Sequence, residues 1–303
     1  VKVLVTGGSG FIGSAVVHRL CQTGHEVVVA DLRAPRAPAA LAGDGEPKLP
    51  AAVVGDLRQA AVLERALSAD VDAVIHLAAA TSVLRSLEAP VDVYEHNVAL
   101  TQSLLERCRQ LGVSRFLFAS TNAVVGMASG SAPISESSPL APMTPYGATK
   151  AAAEMLMSAY RAAYGITTTA LRLTNVYGPG MSVKDTMVPR IIRAALADEP
   201  VQIYGDGLQR RDYVFVEDVV DVFVAGLDRE LPSRLVVGSG TSISVLDLHE
   251  AACRVFGRQI SLTHVAAPQG EMPAVVVDRS LAAGLGWPEP VTLDEGLRLT
   301  WEW

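Results

Sequence analysis

The 303-residue chain lacks an apolar run of the roughly 20 residues needed to cross a bilayer, so no membrane span is expected. No leader is expected either, because a valine-rich strand pattern starts at Val1. Cysteine is scarce. Cys21, Cys108 and Cys253 stand far apart, are odd in number and match no metal-ligand or redox spacing. That argues against a disulfide framework or a metal site and fits a reduced, cytoplasmic protein. Basic residues are outnumbered, 25 Lys and Arg against 32 Asp and Glu. The net charge of −7 argues against nonspecific nucleic-acid binding. Internal repeats and long low-complexity tracts are also missing; the Ala/Pro-rich stretch 34–42 reads as a loop. What remains is half hydrophobic and 19% charged, enough for a sizeable core in one large or two moderate domains.

Val1 to Val5 is a short apolar run suited to a buried parallel strand. Thr6-Gly7-Gly8-Ser9-Gly10-Phe11-Ile12-Gly13 follows, then a helical pattern from Ser14 to Gln22. Gly7, Gly10 and Gly13 permit a tight turn and let backbone N–H groups approach a pyrophosphate at a helix N-terminus. A plain glycine-rich turn is the bland alternative, but the position between strand and helix favours a dinucleotide. A second strand, 26–30, ends at Asp31, about twenty residues beyond the glycines, where a carboxylate accepts from a ribose 2′-hydroxyl. A 2′-phosphate is repelled there, which favours NAD over NADP; Arg33 and Arg36 nearby weigh against. Strand 52–57 brings Asp56 and Leu57 to the adenine edge, although Asp56 could simply cap the helix 59–67. Strand 71–77 ends in His76-Leu77-Ala78-Ala79-Ala80, whose small residues let the backbone pass close to a flat ligand. His76 reads as a hydrogen-bonded core histidine before a catalytic one.

A long helix, 91–111, carries Asn97. Strand 113–118 leads into Ala119-Ser120-Thr121-Asn122, with adjacent hydroxyls at a strand's carboxyl end. A Ser/Pro-rich loop, 126–145, then reaches Pro145-Tyr146-Gly147-Ala148-Thr149-Lys150, which opens a helical run. Residues four apart share a helix face, so Tyr146 and Lys150 point the same way. A free phenol titrates near pH ~10. An ammonium ~4 Å away at a dielectric of ~20 is worth about 4 kcal/mol, or roughly three pH units. That brings the phenol towards neutrality, where a general acid or base works best. Y-x-x-x-K also arises by chance at ordinary helix starts; its neighbours decide. The strand–helix alternation implies right-handed crossovers and an α/β fold with a doubly wound parallel sheet. A sixth strand, 167–173, closes the first domain, residues 1–172. Residues 173–303 read as a smaller α/β domain, with segments at about 205–240 returning to the first.

The chain resembles the extended short-chain dehydrogenase/reductase family, in its NAD-dependent nucleotide-sugar epimerase/dehydratase branch. The resemblance is carried by Thr6 to Gly13, Asp56-Leu57, His76 to Ala79, Tyr146 to Lys150 and Asn175-Val176-Tyr177-Gly178-Pro179. It continues through Gly205-Asp206-Gly207, Arg211-Asp212-Tyr213, Val216 to Val219 and Gly238-Ser239-Gly240. It implies a Rossmann-type N-terminal domain holding NAD tightly and a C-terminal substrate domain. The cofactor contacts it implies are Gly7, Gly10, Phe11, Ile12, Gly13, Asp31, Asp56, Leu57, Leu77, Ala78, Ala79, Asn97, Ala119, Tyr146, Lys150 and Val176. Thr121, Tyr146 and Lys150 take the catalytic roles. Tyr146 removes a proton from the sugar 4-hydroxyl as hydride passes to NAD, then reverses both on the other face.

The resemblance also implies a substrate set of Thr81, Ser82, Ser120, Thr121, Asn122, Tyr146, Asn175, Val188, Gln202, Tyr204, Arg211 and Glu271. Arg211 would neutralise the diphosphate through paired N–H donors, with a surface salt bridge to Asp206 or Asp212 as the plain alternative. Sugar-nucleotide 4,6-dehydratases of this branch carry an acidic pair just after the catalytic hydroxyl, and UDP-glucuronate decarboxylases a Glu. Here Asn122 and Ala123 stand there, which leaves 4-epimerisation of a UDP-hexose or UDP-hexuronate as the simplest reading. A 4-ketoreductase or a non-catalytic NAD-sensing protein are the alternatives. The late Arg-Pro-Gly-acid stretch of the family is replaced by Pro268-Gln269-Gly270-Glu271, so one phosphate contact is missing or met by another base. Members often dimerise through helices corresponding to 91–111 and 146–164, so a homodimer is expected.

Overall fold

The structure, a computed structural model, describes residues 1–35, 50–126, 132–182, 184–266 and 274–303. In chain order it begins β1 (Lys2–Thr6), α1 (Phe11–Gln22), β2 (Glu26–Asp31), β3 (Ala51–Val54), α2 (Ala60–Ala66) and β4 (Ala73–His76). Next come α3 (Val83–Glu88), α4 (Pro90–Tyr94), a π-turn (Glu95–Ala99), α5 (Leu100–Leu111), β5 (Arg115–Thr121), α6 (Pro145–Tyr164) and β6 (Thr167–Leu173). The remainder is β7 (Asn175–Tyr177), α7 (Met187–Ala197), β8 (Val201–Tyr204), β9 (Arg210–Phe215), α8 (Val216–Asp228) and β10 (Arg234–Val237). It ends with β11 (Ser242–Ser244), α9 (Val245–Phe256), β12 (Leu262–Val265), α10 (Ser280–Gly284) and α11 (Leu293–Glu302). None of the described helices is long and apolar enough to cross a membrane.

Seven parallel strands form one sheet in the order β10-β6-β5-β4-β1-β2-β3, the doubly wound arrangement expected from the alternation. The apolar runs of β1, β2 and β4 are buried along nearly their whole length, as strands covered on both faces require, whereas the edge strand β3 is largely exposed. Contacts divide the chain into two units. The first holds residues 1–124, 140–172 and 220–235; the second holds 125–139, 173–219 and 236–303. The first unit's core joins Leu4, Val28, Val74 and Phe116 of the sheet to Leu104 and Leu105 of α5 and Met157 of α6. Each such side chain contributes about 1.5–3 kcal/mol on burial. The second unit has a three-stranded sheet, β11-β9-β7, and a parallel pair, β12-β8.

Strand register positions the loops. Thr6 pairs with Ala30 and with His76, and His76 pairs with Phe118. The next residue of each strand, Gly7, Asp31, Leu77 and Ala119, therefore stands at one level along the carboxyl edge of the sheet. In an open α/β sheet ligands bind at that edge, where strand order reverses.

The expected helix 91–111 is present as one helical run, 90–111, with the π-turn inside it. The chain runs as α3, α4, the π-turn and α5. Ala89 leaves helical geometry at φ −133°, and Pro90 begins the next helix. The stretch expected as strand 52–57 pairs only as Ala51–Val54. The expected loop 34–42 lies largely outside the described residues, as do Arg36 and part of the loop 126–145.

Candidate active site

The first turn of helix α6 carries Tyr146, the candidate reactive residue. Thr144 accepts from the Gly147 amide at 3.1 Å, Pro145 supplies a preset φ, and Gly165 ends the helix at φ 72°. A cap of this kind stabilises the helix by about 1 kcal/mol. Gly147 is required by proximity: a Cβ there would lie 2.6 Å from the Ala123 carbonyl oxygen. The first turn of α6 thus rests directly on the turn that follows β5. The Thr121 hydroxyl lies beside the Tyr146 phenol and donates to Asn122 Oδ1 at 3.3 Å. Thr121 Oγ1 also accepts from the Ala123 amide at 3.2 Å.

The Lys150 ammonium is 2% exposed, donates to the Ala119 carbonyl at 2.8 Å and sits 4.3 Å from the centre of the Phe118 ring. Burial brings its pKa down to about 7, while Glu154 pulls it the other way. Burial pushes the Tyr146 phenol up to about 12, and the neighbouring Thr121 hydroxyl opposes this. From helix spacing alone the ammonium is expected to bring the phenol down. The structure corrects that expectation, because desolvation dominates both groups.

Two polar clusters that spacing alone did not reveal brace this pair. Asn97, buried in the π-turn, donates to the Ala80 carbonyl at 3.1 Å and accepts from the Ala80 amide at 2.8 Å. It also donates to Thr149 Oγ1 at 3.0 Å, so one side chain joins the exit of β4 to the first turn of α6. A π-turn inside a helix is often such a local signal. The second cluster centres on Glu154, one further turn along the Tyr146–Lys150 face. Its carboxylate accepts from Ser120 Oγ at 2.6 Å and from Arg172 Nε at 3.1 Å and Nη2 at 2.9 Å. Arg234 Nε lies 3.3 Å away. The Ser120 hydroxyl is thereby directed into the protein. His76, also buried, lies between the hydroxyls of Thr6 at 2.7 Å and Thr101 at 3.1 Å. Burial takes its pKa down to about 3, which makes it the neutral core histidine that the sequence favours.

The glycine-rich turn fits a dinucleotide. A Cβ on Gly13 would lie 2.1 Å from the Gly7 carbonyl oxygen, so only glycine lets α1 start this close to β1. Gly10 precedes α1 without a side-chain cap, and its amide donates to Gly7 at 3.0 Å. Phe11 and Ile12 open the helix. Asp31 accepts from the Ser9 amide at 3.0 Å and the Arg33 amide at 3.2 Å, which holds its carboxylate beside the turn. Leu77 and Ala78 donate to Thr6, and Ala79 follows them. Asp56 is clasped by the Arg58 guanidinium, with Nη2 at 2.7 Å, which holds its carboxyl below the usual range; Leu57 beside it is buried.

Of the residues expected at a substrate, Thr81 and Ser82 are exposed, and Ser82 caps α3 by accepting from Arg85. Asn122 is nearly buried. In the second unit Asn175 donates to the Asp212 carbonyl at 3.0 Å, and Val176 pairs with Val214. Arg211 Nη1 donates to the Arg210 carbonyl at 2.8 Å. The Asp212 carboxylate accepts from Thr174, from Ser239 and from the Gly240 amide. Val188 is buried, Gln202 is exposed, and the Arg190 guanidinium lies 5.4 Å from the centre of the Tyr204 ring. Glu271, with the run 268–271, lies outside the described residues.

A doubly wound sheet with a glycine-rich first turn, an acid ending β2 and a Tyr–Lys helix defines a dinucleotide-dependent enzyme scaffold. The chain belongs to the NAD dependent epimerase/dehydratase family, which matches residues 3–238, and its cofactor is NAD. It is similar to the UDP-glucose 4-epimerase of Thermotoga maritima, solved with UDP-glucose, at 31% identity and a TM-score of 0.92, covering 100% of this chain and 98% of that one. The UDP-glucose 4-epimerase of Thermus thermophilus, in complex with NAD, is 34% identical with the same TM-score of 0.92 and the same coverage, 100% and 98%. The dTDP-glucose 4,6-dehydratase of Xanthomonas campestris pv. campestris is 31% identical over 326 residues, 99% of this chain and 92% of the relative. Both reactions of the family thus occur among relatives at similar identity.

Proposed function

We propose that the protein is an NAD-dependent 4-epimerase of UDP-hexoses or UDP-hexuronates, working through a transient 4-keto sugar. One observation carries the choice. The turn after β5, against which the first turn of α6 packs, holds Asn122 and Ala123 and no carboxylate. Removing water across C5 and C6 needs an acid and a base on those carbons, and an amide and a methyl group supply neither. What this site does hold is one proton-transfer group with its supports, which suffices for chemistry confined to C4.

In this reading bound NAD supplies the hydride chemistry, and the chain supplies position and proton transfer. Tyr146 takes the proton from the 4-hydroxyl and returns it to the inverted centre. Thr121 bonds the reacting oxygen and, through the phenol, favours its ionised form. Lys150, when protonated, stabilises the phenolate. Gly7 to Gly13 cradle the pyrophosphate on the N-terminus of α1, and Asp31 takes the ribose. Asn175 and Arg211 serve the diphosphate, and Tyr204, backed by Arg190, packs beside the base. Thr81, Ser82, Val188 and Gln202 complete the substrate set.

A second copy of the chain is the expected partner. Leu84, Leu87, Val91, Tyr94, Met155 and Tyr164 are exposed on α3, α4 and α6, more apolar surface than a lone copy needs there. Incubation of the NAD-loaded protein with UDP-glucose, followed by chromatography of the sugar nucleotides, tests the reaction. UDP-galactose is the expected product, and a 4-keto-6-deoxy sugar overturns the proposal. Parallel runs with UDP-glucuronate and UDP-N-acetylglucosamine identify the preferred sugar.

A further inference from the structure

The buried Glu154 has no part in the proton transfer just described, yet it touches the segment that the transfer depends on. Ser120 is the link. Its hydroxyl donates to Glu154 Oε1 at 2.6 Å. Its two chain neighbours are the residues that meet the reactive pair. Ala119 offers the carbonyl that holds Lys150 Nζ at 2.8 Å, and Thr121 carries the hydroxyl that lies beside the Tyr146 phenol. Glu154 is itself immobilised by Arg172, whose Nε and Nη2 both reach its carboxylate, with all three side chains buried. Ser120 thus anchors a strand end to a side chain of the same helix that carries Tyr146 and Lys150. Strand end and helix face are thereby fixed in one register from two directions, at the first turn by Gly147 against Ala123 and two turns later by Glu154 against Ser120.

We propose that Glu154 is a positioning residue for the reactive pair. Through Ser120 it holds the end of β5 at the depth where the Ala119 carbonyl meets Lys150 and the Thr121 hydroxyl meets Tyr146. The role rests on the epimerase reading for its catalytic consequence, but the tie itself does not. Ser120→Ala cuts the tie and leaves the Glu154–Arg172 ion pair in place, so the fold is kept. A displacement of 1 Å at a reacting group costs about 100-fold in rate, so a partial relaxation should cost about tenfold.

The test uses NAD-loaded protein and two readouts. In steady-state turnover of UDP-glucose, Ser120→Ala is expected to lower kcat about tenfold, with KM and retained NAD within about twofold of wild type. Ser120→Thr, which keeps the hydroxyl, is expected to recover most of the rate. In amide hydrogen exchange without sugar, residues 119–123 of Ser120→Ala should exchange faster while the strands of the sheet core stay unchanged. Unaltered exchange in 119–123 overturns the tie. Faster exchange with unaltered kcat overturns the positioning role, as does a fall in kcat that merely follows a general loss of stability. A wild-type protein that turns over no UDP-sugar sinks the epimerase reading, and the exchange result then still decides the tie.

Discussion

Lys150→Met offers a direct test of how the interior treats charge. The Lys150 ammonium is buried and has its pKa lowered from 10.5 to about 7. At about 1.4 kcal/mol per pH unit, that displacement corresponds to about 5 kcal/mol. The sign follows from which state holds the proton. Below pH 7 both folded and unfolded chains carry the ammonium, and the fold bears the full desolvation cost. Above 10.5 both are neutral, and the cost is gone. Between those values the unfolded chain binds more protons, so this group makes stability rise with pH. Methionine keeps the length of the side chain and removes the charge. It also removes the donor to the Ala119 carbonyl, a loss of about 1–3 kcal/mol, and the ammonium over Phe118, worth up to ~2 kcal/mol.

The variant should therefore be slightly more stable than wild type near pH 6, where the ammonium and its contact with Phe118 are present, and slightly less stable near pH 10, where only the neutral amine's hydrogen bond is lost. Urea unfolding of both proteins at matched NAD concentration, from about pH 6 to 10, gives the difference curve. Other titrating groups are common to both proteins and drop out of it. A wild-type-minus-variant difference that rises by several kcal/mol across the window supports the argument. A flat difference would falsify it, because the ammonium would then be solvated in the folded protein.

Three further outcomes are expected. Tyr146→Phe should lower turnover by about 10²–10⁴-fold while NAD stays with the protein through gel filtration, and unchanged turnover removes Tyr146 from the mechanism. Gly13→Ala places a Cβ 2.1 Å from the Gly7 carbonyl oxygen and should cost at least about tenfold in NAD retention, alongside a lower Tm; normal retention refutes the close-packing argument. Met155→Glu puts a charge on an exposed apolar position of α6 and should convert a dimer to a monomer by light scattering; a wild-type monomer refutes the dimer.

The backbone of this fold was legible because its signals are local. Valine runs marked buried strands, glycines marked the turn into α1, and Tyr146 with Lys150 followed from helix periodicity. His76 was also read correctly, since a histidine ending a buried strand needs hydroxyl partners, and Thr6 and Thr101 supply them. The π-turn escaped because nothing in 91–111 departs from a helical pattern; what distinguishes it is tertiary, the hydrogen bonds of Asn97 to Ala80 and Thr149. Glu154 escaped for a similar reason. A glutamate eight residues after a tyrosine looks like a solvated helix face until Arg172 and Ser120, from two different strands, are seen to converge on it.

The same distinction explains why the expected electrostatics had the wrong sign. Spacing on a helix fixes which way Tyr146 and Lys150 point, but not what else competes for the ammonium or how dry the surroundings are. Lys150 donates to Ala119, and burial penalises the charged form of each partner, raising the phenol to about 12 and lowering the amine to about 7. Transferring the proton from this phenol to this amine is uphill by about 7 kcal/mol before their mutual attraction is counted. An opposite charge at ~4 Å and a dielectric of ~20 returns about 4 kcal/mol, so the pair alone leaves the phenol protonated at neutral pH. A base with this arrangement works only where additional positive charge or a substrate hydrogen bond favours the phenolate. In the proposed epimerase, proton transfer by Tyr146 would therefore depend on the bound nicotinamide and sugar as well as on Lys150.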